Sequence, residues 1–178
     1  MVQSQDSGLS TEVIELARML VDQIVGLQHR IDTLDREIRQ RAREDSVASP
    51  LMTVPGIGPI CASAMMALAP PAESFARGRD FSARLGLVPK QHSSGGKERL
   101  GRTSKMGQRD LRRLLITGAM AVVRCAALRG ARAGSWLEMM MIRKPRMLVP
   151  VALANKMARI AWALMAQGGV YRDPAAAA

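Results

Sequence analysis

The residues best placed to do chemistry lie in one short run, Ser93-Ser94-Gly95-Gly96-Lys97, followed by Arg99, Arg102 and Lys105. A serine hydroxyl attacks phosphorus when cations stabilise the pentacoordinate transition state and glycines let backbone approach closely. From Arg77 to Arg113, eleven Lys or Arg stand against three acids. Arg109, Arg112 and Arg113 open the helix that follows, with Arg109 on a face shared with both later arginines. On residue types alone, Ser-Ser-Gly-Gly is more simply a flexible turn among phosphate-binding cations than a nucleophile.

Other chemistries fit less well. His92 adjoins the serines, but side chains one or two apart in a loop seldom form a nucleophile and base pair, and no nearby acid would orient its ring. A solvated loop histidine is the simpler reading. Ser-Gly-Gly-Lys lacks the glycine spacing of a Walker loop and the buried strand before it. Cys61 and Cys125, with two histidines, make no metal-ligand spacing, and both cysteines read as buried thiols. Trp136, Trp162 and Tyr171 are scattered in sequence, which argues against base-stacking platforms. Met139-Met140-Met141 reads as core packing more readily than as a partner surface.

The charge distribution indicates a polyanionic partner. Residues 1–45 carry six Arg against nine acids, whereas residues 46–178 carry twenty Lys or Arg against six. A basic body of this kind favours nucleic acid, because neutralising phosphates releases condensed counterions. An anionic membrane surface competes on charge alone. No signal peptide is visible, and the apolar runs are broken by Pro70, Arg124 or Asn155-Lys156, so the expectation is a cytoplasmic protein without membrane spans.

Several elements must hold these residues. Val13, Ala17, Leu20, Ile24, Leu27, Ile31, Leu34 and Ile38 recur in steps of four and three along a helix starting near Glu12 and ending near Glu44. With Ile mostly at a and Leu mostly at d, this is the seam of a parallel dimeric coiled coil, with Arg30 facing the partner's Asp35. A helix folded back on its own domain is the alternative. Next come Pro55-Gly56-Ile57-Gly58-Pro59 and an apolar helix to about Leu68. The pattern matches a helix-hairpin-helix, in which Gly56 and Gly58 permit positive φ and leave bare amides for a backbone phosphate. A tight turn between helices is the plainer possibility. A short helix at Asp80–Leu85, a loop over 86–108, and helices at about Gln108–Arg129, Ser135–Ile142 and Leu148–Gln167 complete the chain.

Pro55-Gly56-Ile57-Gly58-Pro59, Phe81, Gly86-Leu87-Val88-Pro89, Ser93-Ser94-Gly95-Gly96-Lys97, Arg99-Leu100-Gly101, Ser104-Lys105-Met106-Gly107 and Leu111-Arg112-Arg113-Leu114-Leu115 occur in order. This run resembles the C-terminal domain of DEDD-type insertion-sequence transposases, relatives of the pilin-gene invertase. The likeness covers roughly Leu51 to Ala126. Ala154-Asn155-Lys156, Arg159 and Trp162 look similar as well. The resemblance implies a domain that follows a coiled coil and attacks DNA through a serine, forming a phosphoserine link. That nucleophile maps onto Ser94, with Ser93 as second choice. It also implies a structured guide RNA and an acidic ribonuclease-H-like domain holding magnesium, which residues 1–45 cannot supply.

The resulting expectation is a mainly α protein: a coiled-coil helix over 1–45, a small helical domain over 46–172 with a helix-hairpin-helix and a long basic loop, and a disordered tail over 173–178. Its partners are DNA, a guide RNA and a second copy of the chain. The nucleic-acid contacts are Gly56, Gly58, Lys97, Arg99, Arg102, Lys105, Arg109, Arg112 and Arg113, with no metal or cofactor held by this chain. Recombination by the chain alone is expected to fail. The alternative is a non-catalytic, nucleic-acid-binding regulator that dimerises through the coiled coil.

Overall fold

The heptad stripe forms one helix, α1 (Thr11–Glu44), in a computed structural model that describes residues 10–92 and 100–173. The chain divides into two compact units, Met1–Gln40 and Arg41–Ala178. In the first unit the seam residues Val13, Leu20, Ile24, Leu27, Ile31 and Leu34 are exposed, Ile24 to 65%. The polar faces are laced by bonds one turn apart, with Gln28 donating to Asp32 and Arg39 pairing with Asp35. Asp35 is thus engaged within its own helix.

The second unit begins with the last turn of α1, because Ala42 already packs into its core. Asp45 then changes the chain's direction. Its carboxylate accepts the backbone N–H groups of Val47 and Ala48, which hold its pKa below the ordinary value. Beyond it lie α2 (Ala48–Leu51), α3 (Pro59–Leu68), a 3-10 turn (Ala72–Ser74) and α4 (Gly78–Arg84). Two strands follow, β1 (Pro89–Gln91) and β2 (Leu100–Thr103), and then α5 (Arg109–Arg129), α6 (Trp136–Arg143) and α7 (Leu148–Gln167). The described residues therefore fold as seven α-helices with one two-stranded ribbon.

The helix α7 is the centre of this unit. Ala154, Ala158 and Ala161, spaced at helical period, are fully buried with Met157, and their small side chains let neighbouring helices approach. Leu111, Leu115 and Ala119 of α5 face them, and Phe81 of α4 and Leu85 just after it fill the remaining space. Each such Leu or Phe contributes roughly 1.5–3 kcal/mol through burial. Phe75 meets Phe81 edge to face at 5.4 Å, and the Trp162 indole donates to the Ala72 carbonyl at 2.9 Å, fixing the segment before α4. Contrary to the sequence expectation, α7 is long and apolar enough to cross a membrane. Its buried face nevertheless serves as core, and Asn155, Lys156 and Arg159 interrupt it.

Three further expectations need correction. Cys125 is exposed, because it sits two residues past Val123 and so turns away from the buried stripe of α5, whereas Cys61 is buried and its thiol is pushed up to about 11. No residue of α6 is fully buried, and Met139 and Ile142 are exposed. The first arm of the expected helical hairpin is only the four residues of α2. Residues 174–178, most of the expected tail, lie outside the described residues, and Tyr171 is tied to the second unit by its N–H bond to the Thr53 hydroxyl.

Candidate nucleic-acid interface

The predicted basic loop contains an antiparallel ribbon. Gly86 ends α4 with φ +69, its N–H bonding the Ala83 carbonyl while the Leu87 N–H reaches Ser82, a left-handed cap that turns the chain into β1. Pro89 pairs with Thr103 and Gln91 with Leu100, with an irregularity between the two pairs, and the Ser104 N–H bonds the Val88 carbonyl at 2.9 Å. The His92 ring lies across Gly101, where a Cβ would come within 2.6 Å of it. His92 is exposed, in keeping with a solvated histidine.

Ser93, Ser94, Lys97 and Arg99 lie outside the described residues, between the two strands in sequence. Arg102, Lys105, Arg109 and Arg113 are described and exposed. Lys105 is the one non-glycine among the described residues with positive φ, at 54°. Arg109 and Arg113 stand four apart on the first turns of α5, as their spacing predicts.

Arg112 has a different task. Its Nη1 donates to the carbonyls of Leu85 at 3.1 Å and Met106 at 3.4 Å, joining the end of α4 to the segment that leaves β2. The backbones meet closely there. A Cβ at Gly86 would fall 2.1 Å from the Met106 oxygen, and one at Gly107 would fall 1.8 Å from the Arg84 oxygen. Arg112 therefore positions the ribbon, and its guanidinium is already engaged by main chain.

The glycines before α3 also divide their roles. Gly56 has φ +92, but its backbone packs on α5: a Cβ there would lie 3.0 Å from the Gly118 oxygen and 2.9 Å from the Met157 methyl. It is a packing glycine on its Cα side, closed by α5 and α7. Gly58 has φ −93, so it needs no glycine freedom, and a Cβ there would meet nothing within 4 Å. It precedes Pro59 at the open N-terminus of α3.

The fold also brings together residues that are dispersed in sequence. Trp136 and Trp162 line one cavity of about 650 Å³ with Arg77, Arg79, Lys156 and Arg159. Sequence reading missed this site because its parts come from α4, α6 and α7. Among the described residues, no group of three or more His, Cys, Asp or Glu comes together to hold a metal.

Residues 48–133 match the family model described as Transposase IS116/IS110/IS902 family. A "Probable family 20 transposase" of Pseudomonas aeruginosa is 50% identical over 158 residues, covering 89% of this chain and 47% of that protein. The transposase for insertion sequence element IS1328 of Yersinia enterocolitica is 38% identical over 145 residues, 82% of this chain and 43% of its own length. That for IS1111A of Coxiella burnetii is 34% identical over 169 residues, 95% of this chain and 46% of its own. The chain thus spans under half the length of these relatives.

Proposed function

We propose that the second unit, whose residues 48–133 match the Transposase IS116/IS110/IS902 family model, grips DNA phosphates with the β1–β2 ribbon and the start of α5, and supplies Ser94 for strand transfer. The observation carrying this reading is the concentration of cations around the serine pair: Arg102, Lys105, Arg109 and Arg113 are exposed, and Lys97 and Arg99 adjoin the serines in sequence. In the step itself, Ser94 Oγ bonds to phosphorus as the bond from phosphorus to one bridging oxygen breaks, and that oxygen leaves on its DNA end as a hydroxyl by taking up the proton that the serine gives up through solvent. Neighbouring cations stabilise the added charge in the transition state. On this reading strand transfer also uses an acidic, magnesium-holding domain, as the resemblance implies. A structured guide RNA is a further partner on this reading.

Phosphate gripping is tested by salt dependence. Neutralising Lys97, Arg99, Arg102 and Lys105 removes up to four phosphate contacts, which flattens the slope of log K against log salt by at most about 3.6 on duplex DNA. Gly58→Val should weaken binding without changing that slope, since its backbone conformation accepts valine and its amide carries no net charge. A quadruple variant with unaltered salt dependence would put the DNA elsewhere on the protein.

Exposure of the α1 seam favours self-association as well, and with it a second reading in which the chain pairs with a longer transposase as a regulator. Ile24→Asp with Ile31→Asp places charges in the seam, where desolvation costs several kcal/mol per ion. Sedimentation should show dimers for the wild type and monomers for the variant. A wild type that is monomeric at tens of micromolar would refute pairing through the seam.

A further inference from the structure

The geometry points to a second nucleic-acid site in the second unit: the trough between α4, α6 and α7 takes an unpaired nucleotide of a DNA or RNA strand, stacking its base on Trp136 and holding its phosphates with Arg77 and Arg159. This inference does not depend on Ser94. The α6 and α7 walls lie outside the segment that matches the transposase family model.

Packing builds the trough. Gly78 is buried where α4 begins, and a Cβ there would sit 3.0 Å from the Trp162 ring and 3.1 Å from the Arg159 carbonyl oxygen. This close approach of α4 to α7 puts Arg77 and Arg79, on either side of Gly78, beside Lys156 and Arg159. Trp162 is fixed by its bond to Ala72. Trp136 is set by the start of α6, where the Ser135 hydroxyl accepts the Glu138 N–H and the Glu138 carboxylate accepts the Gly134 N–H. Asn155 bonds the Leu87 carbonyl at 3.1 Å, joining α7 to the chain that enters β1. A neighbouring cavity of about 550 Å³ shares Arg79, Asn155 and Arg159 and reaches Val88, Pro89 and Gln91. The trough consequently runs from Trp136 to the ribbon.

Its chemistry suits a single strand. Among the described residues, Arg77, Arg79, Lys156 and Arg159 form no ion pair, and Asp80 is the acid on the lining. Lys156 Nζ lies 4.6 Å from the centre of the Trp136 ring, so an incoming base would take the place of this cation on the aromatic surface. The freed ammonium then joins the phosphate contacts. A volume of about 650 Å³ lies within the usual range for small-ligand sites, roughly 300–1,000 Å³. Duplex DNA keeps its bases stacked inside and has none to offer to Trp136, whereas an unpaired strand gives both a π-face and a phosphate line.

The test uses the whole chain, whose only tryptophans are Trp136 and Trp162. Titration with oligothymidylate, oligouridylate, an unrelated duplex and inorganic tripolyphosphate is followed by tryptophan fluorescence and, for the labelled oligonucleotides, by anisotropy. A single strand should quench Trp136. Trp136→Phe should abolish that signal while keeping affinity, since phenylalanine still stacks, and Trp136→Ala should weaken binding about tenfold. Arg77→Gln with Arg159→Gln, both at exposed positions, should flatten the single-strand salt slope by about 1.4. The tighter of the two oligonucleotides identifies the strand as DNA or RNA. Equal quenching by tripolyphosphate would reduce the site to an anion pocket, and equal quenching by duplex would remove the need for an unpaired base. Either result overturns the proposal. So would Trp136→Ala and the double arginine variant binding like wild type while the quadruple ribbon variant loses affinity, an outcome that leaves phosphate gripping by the ribbon intact.

Discussion

Replacing Gly118 with alanine is expected to destabilise the second unit by about 1–3 kcal/mol, the usual cost of overpacking, even though alanine is the better helix former by about 1 kcal/mol. A Cβ on Gly118 would fall 1.9 Å from the Gly56 carbonyl oxygen, which belongs to rigid backbone, so α5 and the turn before α3 would have to separate. That turn is itself confined, with Gly56 at φ +92 and in contact with Met157 of α7. Gly118→Val adds two methyl groups at the same place and should remove much of the 5–15 kcal/mol typical of a small domain. Urea denaturation of the three proteins measures the series. An alanine variant as stable as wild type would mean that α5 and the turn are not in backbone contact, and the account of Gly56 as a packing glycine would fail.

The helices were largely legible in the sequence, and the reason is local. The helix α7 was expected at Leu148–Gln167 and found there, because apolar spacing and the glycine after Gln167 both act within a few turns. The exposure of Cys125 is equally local, since its place two residues past Val123 turns it away from the Leu111, Leu115, Ala119 and Val123 stripe. The ribbon was harder. Strands of three and four residues that include Pro89 and Gly101 carry too little alternation to be separated from loop.

The candidate site divided in the same way. Arg109 and Arg113 lie where helical spacing puts them, exposed at the start of α5. Arg112 is the same residue type in the same cationic run, and only the carbonyls of Leu85 and Met106 give it a structural task. Gly56 meets Gly118, and Lys156 meets Trp136, through packing between elements distant in sequence, which no local pattern encodes. Long-range contacts thus decided which glycines and cations are free for a ligand.

Covalent capture of DNA tests the central claim most directly. The chain is mixed with a separately expressed acidic domain, guide RNA, magnesium and DNA, then denatured, digested and analysed by mass spectrometry for nucleotide-bearing peptides. A phosphodiester transferred to serine survives denaturation, so the account predicts an adduct on the peptide containing Ser94, retained in Ser93→Ala and absent in Ser94→Ala. An adduct that persists in Ser94→Ala, or maps to Ser93, would contradict the assignment of the nucleophile. No adduct from a mixture that still binds DNA would contradict strand transfer itself and leave the protein as a nucleic-acid binder.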